Sequence, residues 1–208
     1  MSLAMTPADV ERARRALIRC DPRLGALIKR VGRCGLADAR GYDPFVGLIR
    51  VIMSQQLSGK AADTIFGRVA DLTGGEDRLT PARVLRLKES ALRSAGVSRP
   101  KASYVKDLAA HVADGRLEFR SLERRSDKEV IEAITAVKGL GRWSAEMYLM
   151  FRLNRPDVWP IGDLGIVKGV KTLLDMKRIP AIRTLERVAK PWRPYRSVAA
   201  WYLWRLHD

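Results

Sequence analysis

Two cysteines, Cys20 and Cys34, and two histidines, His111 and His207, are all that this 208-residue chain has of the softer metal ligands. The cysteines do not form a Cys-x-x-Cys pair, and two thiolates cannot hold a four-cysteine iron–sulfur cluster. They read as reduced, partly buried thiols of a cytoplasmic protein. No apolar run approaches the ~20 residues needed to span a membrane. Met1-Ser2-Leu3-Ala4-Met5 leads straight into polar Thr6-Pro7, without the pattern of a signal peptide. Strand-like alternation is absent or too short to argue for, and no period of ~20–50 residues repeats, which excludes a solenoid.

Acidic residues are scarce as well. Lys and Arg number 39 against 23 Asp and Glu, a net charge of +16. The excess is not confined to a tail: residues 1–60 hold eleven basic against five acidic side chains, and residues 176–208 hold eight against two. A positive excess spread through folded segments favours a polyanionic partner, most often nucleic acid. Hydrophobic content of 47% with 30% charged residues suits a folded protein rather than a disordered one.

What is present is helical nearly throughout. Thr6-Pro7, Asp43-Pro44 and Thr80-Pro81 each place a capping side chain before a proline at the first helical position. Ser126-Asp127-Lys128-Glu129 is a capping box followed by Val130, Ile131, Ile134 and Val137 on one face. The spacing predicts helices near 7–19, 22–32, 44–55, 58–73, 81–87, 88–95, 100–115, 127–137, 142–153, 163–175, 181–190 and 195–206. The fold class is all-α, with about 10–12 helices.

The most informative stretch runs from Val137 to Asp163. It opens with Gly139-Leu140-Gly141 between two helical patterns and ends with a carboxylate behind Trp159-Pro160-Ile161-Gly162. A turn without Cβ atoms lets backbone N–H groups approach a phosphate, and the helix that follows adds a favourable dipole. Lys138, Arg142 and Ser144 flank the turn and could meet phosphates; Arg99 and Lys101, beside a second turn, are further candidates. Upstream, Gln55, Gln56 and Leu57 end an apolar helix and enter Ser58-Gly59. An amide pair followed by a leucine suits probing a duplex and filling the gap left by a flipped nucleotide. The pattern does not say which of the three is the wedge.

The hairpin resembles the helix-hairpin-helix (HhH-GPD) signature of the DNA glycosylase superfamily, and more closely its alkylpurine, 3-methyladenine DNA glycosylase II branch. Residues 52–62 resemble that branch's Gln-Gln segment. Lys101-Ala102-Ser103-Tyr104-Val105-Lys106-Asp107-Leu108-Ala109 and Pro191-Trp192-Arg193-Pro194-Tyr195-Arg196-Ser197 resemble its later blocks, in the family's order. The resemblance implies two helical lobes with a DNA-facing cleft. One lobe would span about 42–156, including the hairpin at 127–153; the other would join 1–41 to 157–208.

It also implies a set of roles. Asp163 stands where the family has its catalytic aspartate, near which a sugar of oxocarbenium character would be stabilised; Asp157 does not. Trp143 occupies the helix position at which strand-cutting relatives carry a Schiff-base lysine, so the reading is a monofunctional enzyme. Trp143 and Trp192 would be the rings that attract a cationic, alkylated purine, each worth ~0.5–2 kcal/mol, with Met147 and Tyr148 beside them. Trp159, Trp201, Trp204 and Tyr148 read as packing residues, Tyr148 being also a candidate for the pocket. A cationic base leaves readily, so no dedicated general acid is needed. The backbone carbonyls of Thr135, Val137 and Leu140 would bind a monovalent cation, Na⁺ or K⁺, when DNA is present; no cofactor is required. Where the family usually has proline before the first hairpin glycine, this chain has Lys138, which either adds a phosphate contact or loosens the turn.

The expected activity is removal of alkylated purines such as 3-methyladenine and 7-methylguanine from duplex DNA in base-excision repair. The expected protein is a cytoplasmic, nucleoid-associated monomer without a membrane partner. Two alternatives compete: a bifunctional glycosylase/lyase of the endonuclease III type, and a non-catalytic helix-hairpin-helix DNA-binding module.

Overall fold

Capping side chains start most of the helices. In the computed structural model, which describes residues 4–39, 43–57 and 59–206, Thr6 and Asp9 close a capping box at the head of α1 (Pro7–Cys20). Asp21 accepts from the amides of Arg23 and Leu24 to start α2 (Pro22–Val31), and Asp43 does the same through Phe45 and Val46 for α3 (Pro44–Ser54). Each satisfies amides that the first turn leaves without an intrahelical partner. Thr80, Ser98 and Ser126 cap α5 (Pro81–Arg86), α7 (Arg99–Ala113) and α9 (Asp127–Thr135).

The remaining helices are α4 (Gly59–Asp71), α6 (Glu89–Ser94), α8 (Phe119–Leu122), α10 (Arg142–Met147), α11 (Leu164–Leu173), α12 (Ile182–Ala189) and α13 (Arg196–Trp204). There is no strand among the described residues. The short helix α8 carries too few residues to show a periodic stripe, and the spacing did not foretell it. The helix expected over 142–153 stops at Met147 and continues as a π-helical turn, Tyr148–Arg152. No helix among the described residues is long and apolar enough to cross a membrane.

The chain divides into two compact units, Met1–Arg40 with Leu149–Asp208, and Gly41–Tyr148. The boundary near 156 expected from the sequence therefore moves to 148. Residues 149–156 hold to the first unit by backbone bonds: Met5 N donates to Asn154 O at 2.9 Å, and Ser197 N donates to Pro156 O at 3.0 Å.

In the unit Gly41–Tyr148, α3 buries Phe45, Val46, Leu48, Ile49, Ile52 and Met53 against α4 and α7. Among the described residues the helices of that unit run on to the pair α9 and α10, joined by the glycine turn. In the other unit α13 is the centre. Every side chain from Ser197 to Leu203 is buried, and α1, α2 and α11 pack around it.

Candidate active site and nucleic-acid contacts

The hairpin turn is pinned from three sides within its own unit. Gly139 takes φ +82°, a conformation that side chains rarely adopt. A Cβ there would stand 2.2 Å from the ring of Tyr104. Asp107 Oδ2 accepts from the Lys138 amide at 2.7 Å. Proline at 138 has no N–H and could not make this bond, so lysine in place of the usual proline does not loosen the turn: its amide ties the turn to α7. Its side chain is exposed and stays available to a phosphate.

Gly141 heads α10 without a side-chain cap. Arg142, 71% exposed, spends Nε on Glu146 Oε1 at 2.9 Å, and five donors on one guanidinium leave others for a phosphate. Ser144 does not meet the phosphate expectation. It is buried at 2% exposure, because it lies on the inner face of α10 beside Ala145.

The third support comes from α3. Gln55 donates through Nε2 to Gly139 O at 2.8 Å. Lys101, expected at phosphates, does something else: its Nζ donates to Met53 O at 2.7 Å and to Gln55 O at 2.8 Å. An ammonium on the last carbonyls of a helix is a favourable C-terminal arrangement, and burial lowers the affinity of Lys101 for its proton. Beyond this clamp, Gln56 turns into the left-handed region at φ +57°, and Leu57 is an exposed large apolar residue at 41%. Of the three residues at the loop, Leu57 is thus the one presented as an apolar tip. Ser58, which follows, lies outside the described residues. Arg99 is 85% exposed, 3.9 Å from Glu89, and remains placed for solvent or phosphate.

The carbonyls of Thr135, Val137 and Leu140 all belong to the end of α9 and the turn. Val137 O accepts from Leu140 N at 3.1 Å, which folds this stretch back on itself. Neutral backbone oxygens of this kind suit a hard monovalent ion. No cluster of three or more His, Cys, Asp or Glu side chains with metal-binding placement occurs among the described residues.

In the other unit, the two neighbouring acids separate cleanly. Asp157 is committed to Arg196, whose Nε reaches Oδ1 at 2.7 Å and whose Nη2 reaches Oδ2 at 2.8 Å. A fork of this kind locks both groups. Asp163 is half-buried and caps α11: Oδ1 accepts from Ile166 N at 2.9 Å and from Trp204 Nε1 at 2.9 Å. Trp204, read from the sequence as packing, thus touches the candidate catalytic carboxylate. No sequence pattern marked it, because 41 residues separate the pair.

The aromatic expectations need correction. Trp192 is fully buried, donates through Nε1 to Asp21 Oδ2 at 3.1 Å and meets Trp159 edge-on at 5.6 Å. With no exposed surface, its ring is a core element and not a pocket wall. Tyr148, also read from the sequence as a packing residue, is buried and stacks on Phe119 at 6.1 Å, and Met147 is buried at 8% exposure. Trp143 alone of the expected rings is partly exposed. His111 offers no proton shuttle. Arg116 donates to Nε2 at 2.8 Å, which leaves Nδ1 to donate to Asp107 O at 2.9 Å. His207 lies outside the described residues.

An all-helical chain with a glycine-turn hairpin in one unit and a pinned aspartate heading a helix in the other has the makings of a helix-hairpin-helix repair protein. Residues 49–194 match the HhH-GPD superfamily of base excision DNA repair proteins, and the chain belongs to that family. It is 31% identical over 201 residues to the alkylbase DNA glycosidase-like protein mag2 of Schizosaccharomyces pombe, covering 96% of this chain and 94% of that one. It is 37% identical over 164 residues to DNA-3-methyladenine glycosylase 1 of the same yeast, covering 78% and 72%. Among solved structures, the Schizosaccharomyces pombe 3-methyladenine DNA glycosylase in complex with abasic DNA superposes with a TM-score of 0.83 at 33% identity, over 93% of this chain and 95% of that one.

Proposed function

We propose that this protein is a monofunctional DNA glycosylase that hydrolyses the N-glycosidic bond of alkylated purines in duplex DNA, as a step of base-excision repair. The observation that carries this reading is Asp163, a half-buried carboxylate at the head of α11 that accepts from Ile166 N and Trp204 Nε1. A fixed negative charge stabilises the positive charge that develops on the sugar as the base departs, and it can orient the attacking water. Cationic 3-methyladenine or 7-methylguanine leaves without a protonating acid, in keeping with a His111 tied up on both ring nitrogens.

The half-exposed Trp143 supplies an electron-rich face for such a base. An indole cannot form a Schiff base, so the strand is left intact with an abasic site. Leu57 and the glutamines beside it meet the duplex where the nucleotide leaves the stack. Lys138, Arg142 and Arg99 neutralise phosphates, and the carbonyls of Thr135, Val137 and Leu140 would hold Na⁺ or K⁺, which would add positive charge beside the DNA backbone. The protein acts as a monomer, among the DNA of the cytoplasm or nucleoid, and needs no further cofactor.

The test is incubation of the protein with duplex carrying 7-methylguanine, followed by alkali or by no treatment. Cleavage only after alkali is the expected result. Cleavage without alkali, or a borohydride-trapped covalent adduct, would establish lyase chemistry. Retarded migration of the duplex with no abasic product would make the chain a binding module.

A further inference from the structure

The cap on α11 does not need Trp204. A side-chain oxygen at the N-cap is satisfied by one amide of the first turn, and Ile166 N already fills that role at 2.9 Å. The second donor on the same oxygen, Trp204 Nε1, comes from the last residue of α13. Its approach has been given room. A Cβ on Gly165 would stand 2.7 Å from Trp204 Cδ1, 2.9 Å from its Nε1 and 3.0 Å from Asp163 Oδ1. Any side chain at 165 therefore pushes the indole away from the carboxylate. On the ring itself, Phe151 stacks at 5.6 Å with the planes 23° apart. All four residues belong to one unit of the chain.

We propose that Trp204, admitted by Gly165 and braced by Phe151, is a positioning residue for Asp163. Its indole N–H fixes the plane in which the carboxylate presents its charge. The amide of Ile166 comes from the residue's own helix, while Trp204 Nε1 reaches the same oxygen from another helix and sets the direction of the carboxylate independently of the cap; charge-assisted bonds of this kind are the stronger ones. A carboxylate that is already oriented costs no reorganisation when charge develops on the sugar. The inference rests on the reading of Asp163 as the catalytic group.

The experiment is single-turnover excision of 7-methylguanine, with duplex affinity measured in parallel. Asp163→Asn comes first: excision by this variant near the wild-type rate would overturn the reading of Asp163 itself. Trp204→Phe keeps the stack on Phe151 and loses only the N–H. Its excision rate constant is expected to fall roughly 10- to 100-fold, the effect of losing one hydrogen bond to a charged group, with affinity for lesion duplex unchanged within about twofold. Gly165→Ala reaches the same end from the other side, displacing an indole that is still present, and the same loss is expected. Adding Trp204→Phe to Asp163→Asn should lower the residual rate far less than it lowers the wild-type rate, because the group it positions is gone. A wild-type rate constant in Trp204→Phe and Gly165→Ala, with the fold confirmed by circular dichroism, overturns the proposal. So does a loss of lesion affinity at an unchanged rate constant, which would make Trp204 a wall of the base pocket.

Discussion

Gln55 Nε2 and the carbonyl oxygen of Gly139 lie 2.8 Å apart, joining the end of α3 to the hairpin turn across 84 positions of sequence. The same loop is held from behind by Lys101, whose ammonium bridges the carbonyls of Met53 and Gln55. The two elements expected to meet DNA, the Gln-Gln-Leu loop and the glycine turn, are therefore one mechanical piece.

Lys101→Met keeps most of the aliphatic stem and removes both bonds to α3. The expected cost is about 1–3 kcal/mol of stability, from two carbonyls that lose a charged donor. Excision of the lesion should suffer more than affinity for undamaged duplex, because the residue touches the probing loop and no phosphate. Urea denaturation and kcat/KM on 7-methylguanine duplex check this together. A variant of wild-type stability and wild-type kcat/KM would show that the loop holds its shape without the clamp.

Lys138 separates backbone from side chain. Lys138→Ala leaves its amide on Asp107 and should change stability by less than about 0.5 kcal/mol, while weakening binding to lesion and undamaged DNA alike. It should also reduce the slope of log affinity against log salt by about 0.9. Lys138→Pro restores the family's usual residue and deletes the amide, so Asp107 loses its bond to the turn; this variant should be less stable by about 1 kcal/mol. A proline variant as stable as the parent would mean that the bond from Asp107 contributes nothing.

Burial pushes the Cys34 thiol up to about 11 from an ordinary value of 9.0, and burial likewise raises Tyr202, whose hydroxyl donates to Gly32 O at 2.7 Å. A raised value in the folded state means that the proton stabilises folding. That contribution is complete below pH 9 and is lost as pH rises through 11. Between those limits the parent should lose more stability than Cys34→Ala does. Iodoacetamide at pH 8 should modify the exposed Cys20 readily and Cys34 only on unfolding. Two thiols alkylated at one rate in native protein would contradict this placement.

Local signals were legible in the sequence wherever the physics is local. The caps at Thr6, Asp43, Thr80 and Ser126 read correctly because a capping side chain bonds amides two or three residues away. Asp163 could be singled out by its place after the hairpin, and Gly139 by its turn. Three things were not legible. Lys101 and Ser144 looked alike as polar neighbours of turns, yet one clamps a helix end and the other is buried. Trp204 stands beside Asp163 only because α13 crosses α11, a contact that no spacing encodes. Trp192 sat in a motif block, and membership of a block does not tell a pocket wall from a core residue.

Trp192 and Trp143 therefore make the sharpest pair of variants. Trp192 is fully buried, with its N–H on Asp21 and its ring in a T-shaped contact with Trp159. Trp192→Ala should cost about 3–5 kcal/mol of stability, as large core aromatics do when truncated, and it strips a donor from an aspartate that is itself buried at 6% exposure and caps α2. Trp143 is partly exposed. Its replacement by Ala should weaken binding to 7-methylguanine duplex by about 1–3 kcal/mol, the worth of one stacked base, while affinity for undamaged duplex stays the same. Denaturation curves and paired binding titrations on both variants decide the matter. If Trp192→Ala melts like the parent but no longer distinguishes lesion from undamaged DNA, its ring belongs to the pocket after all, and the core around Asp21 must open to admit the base.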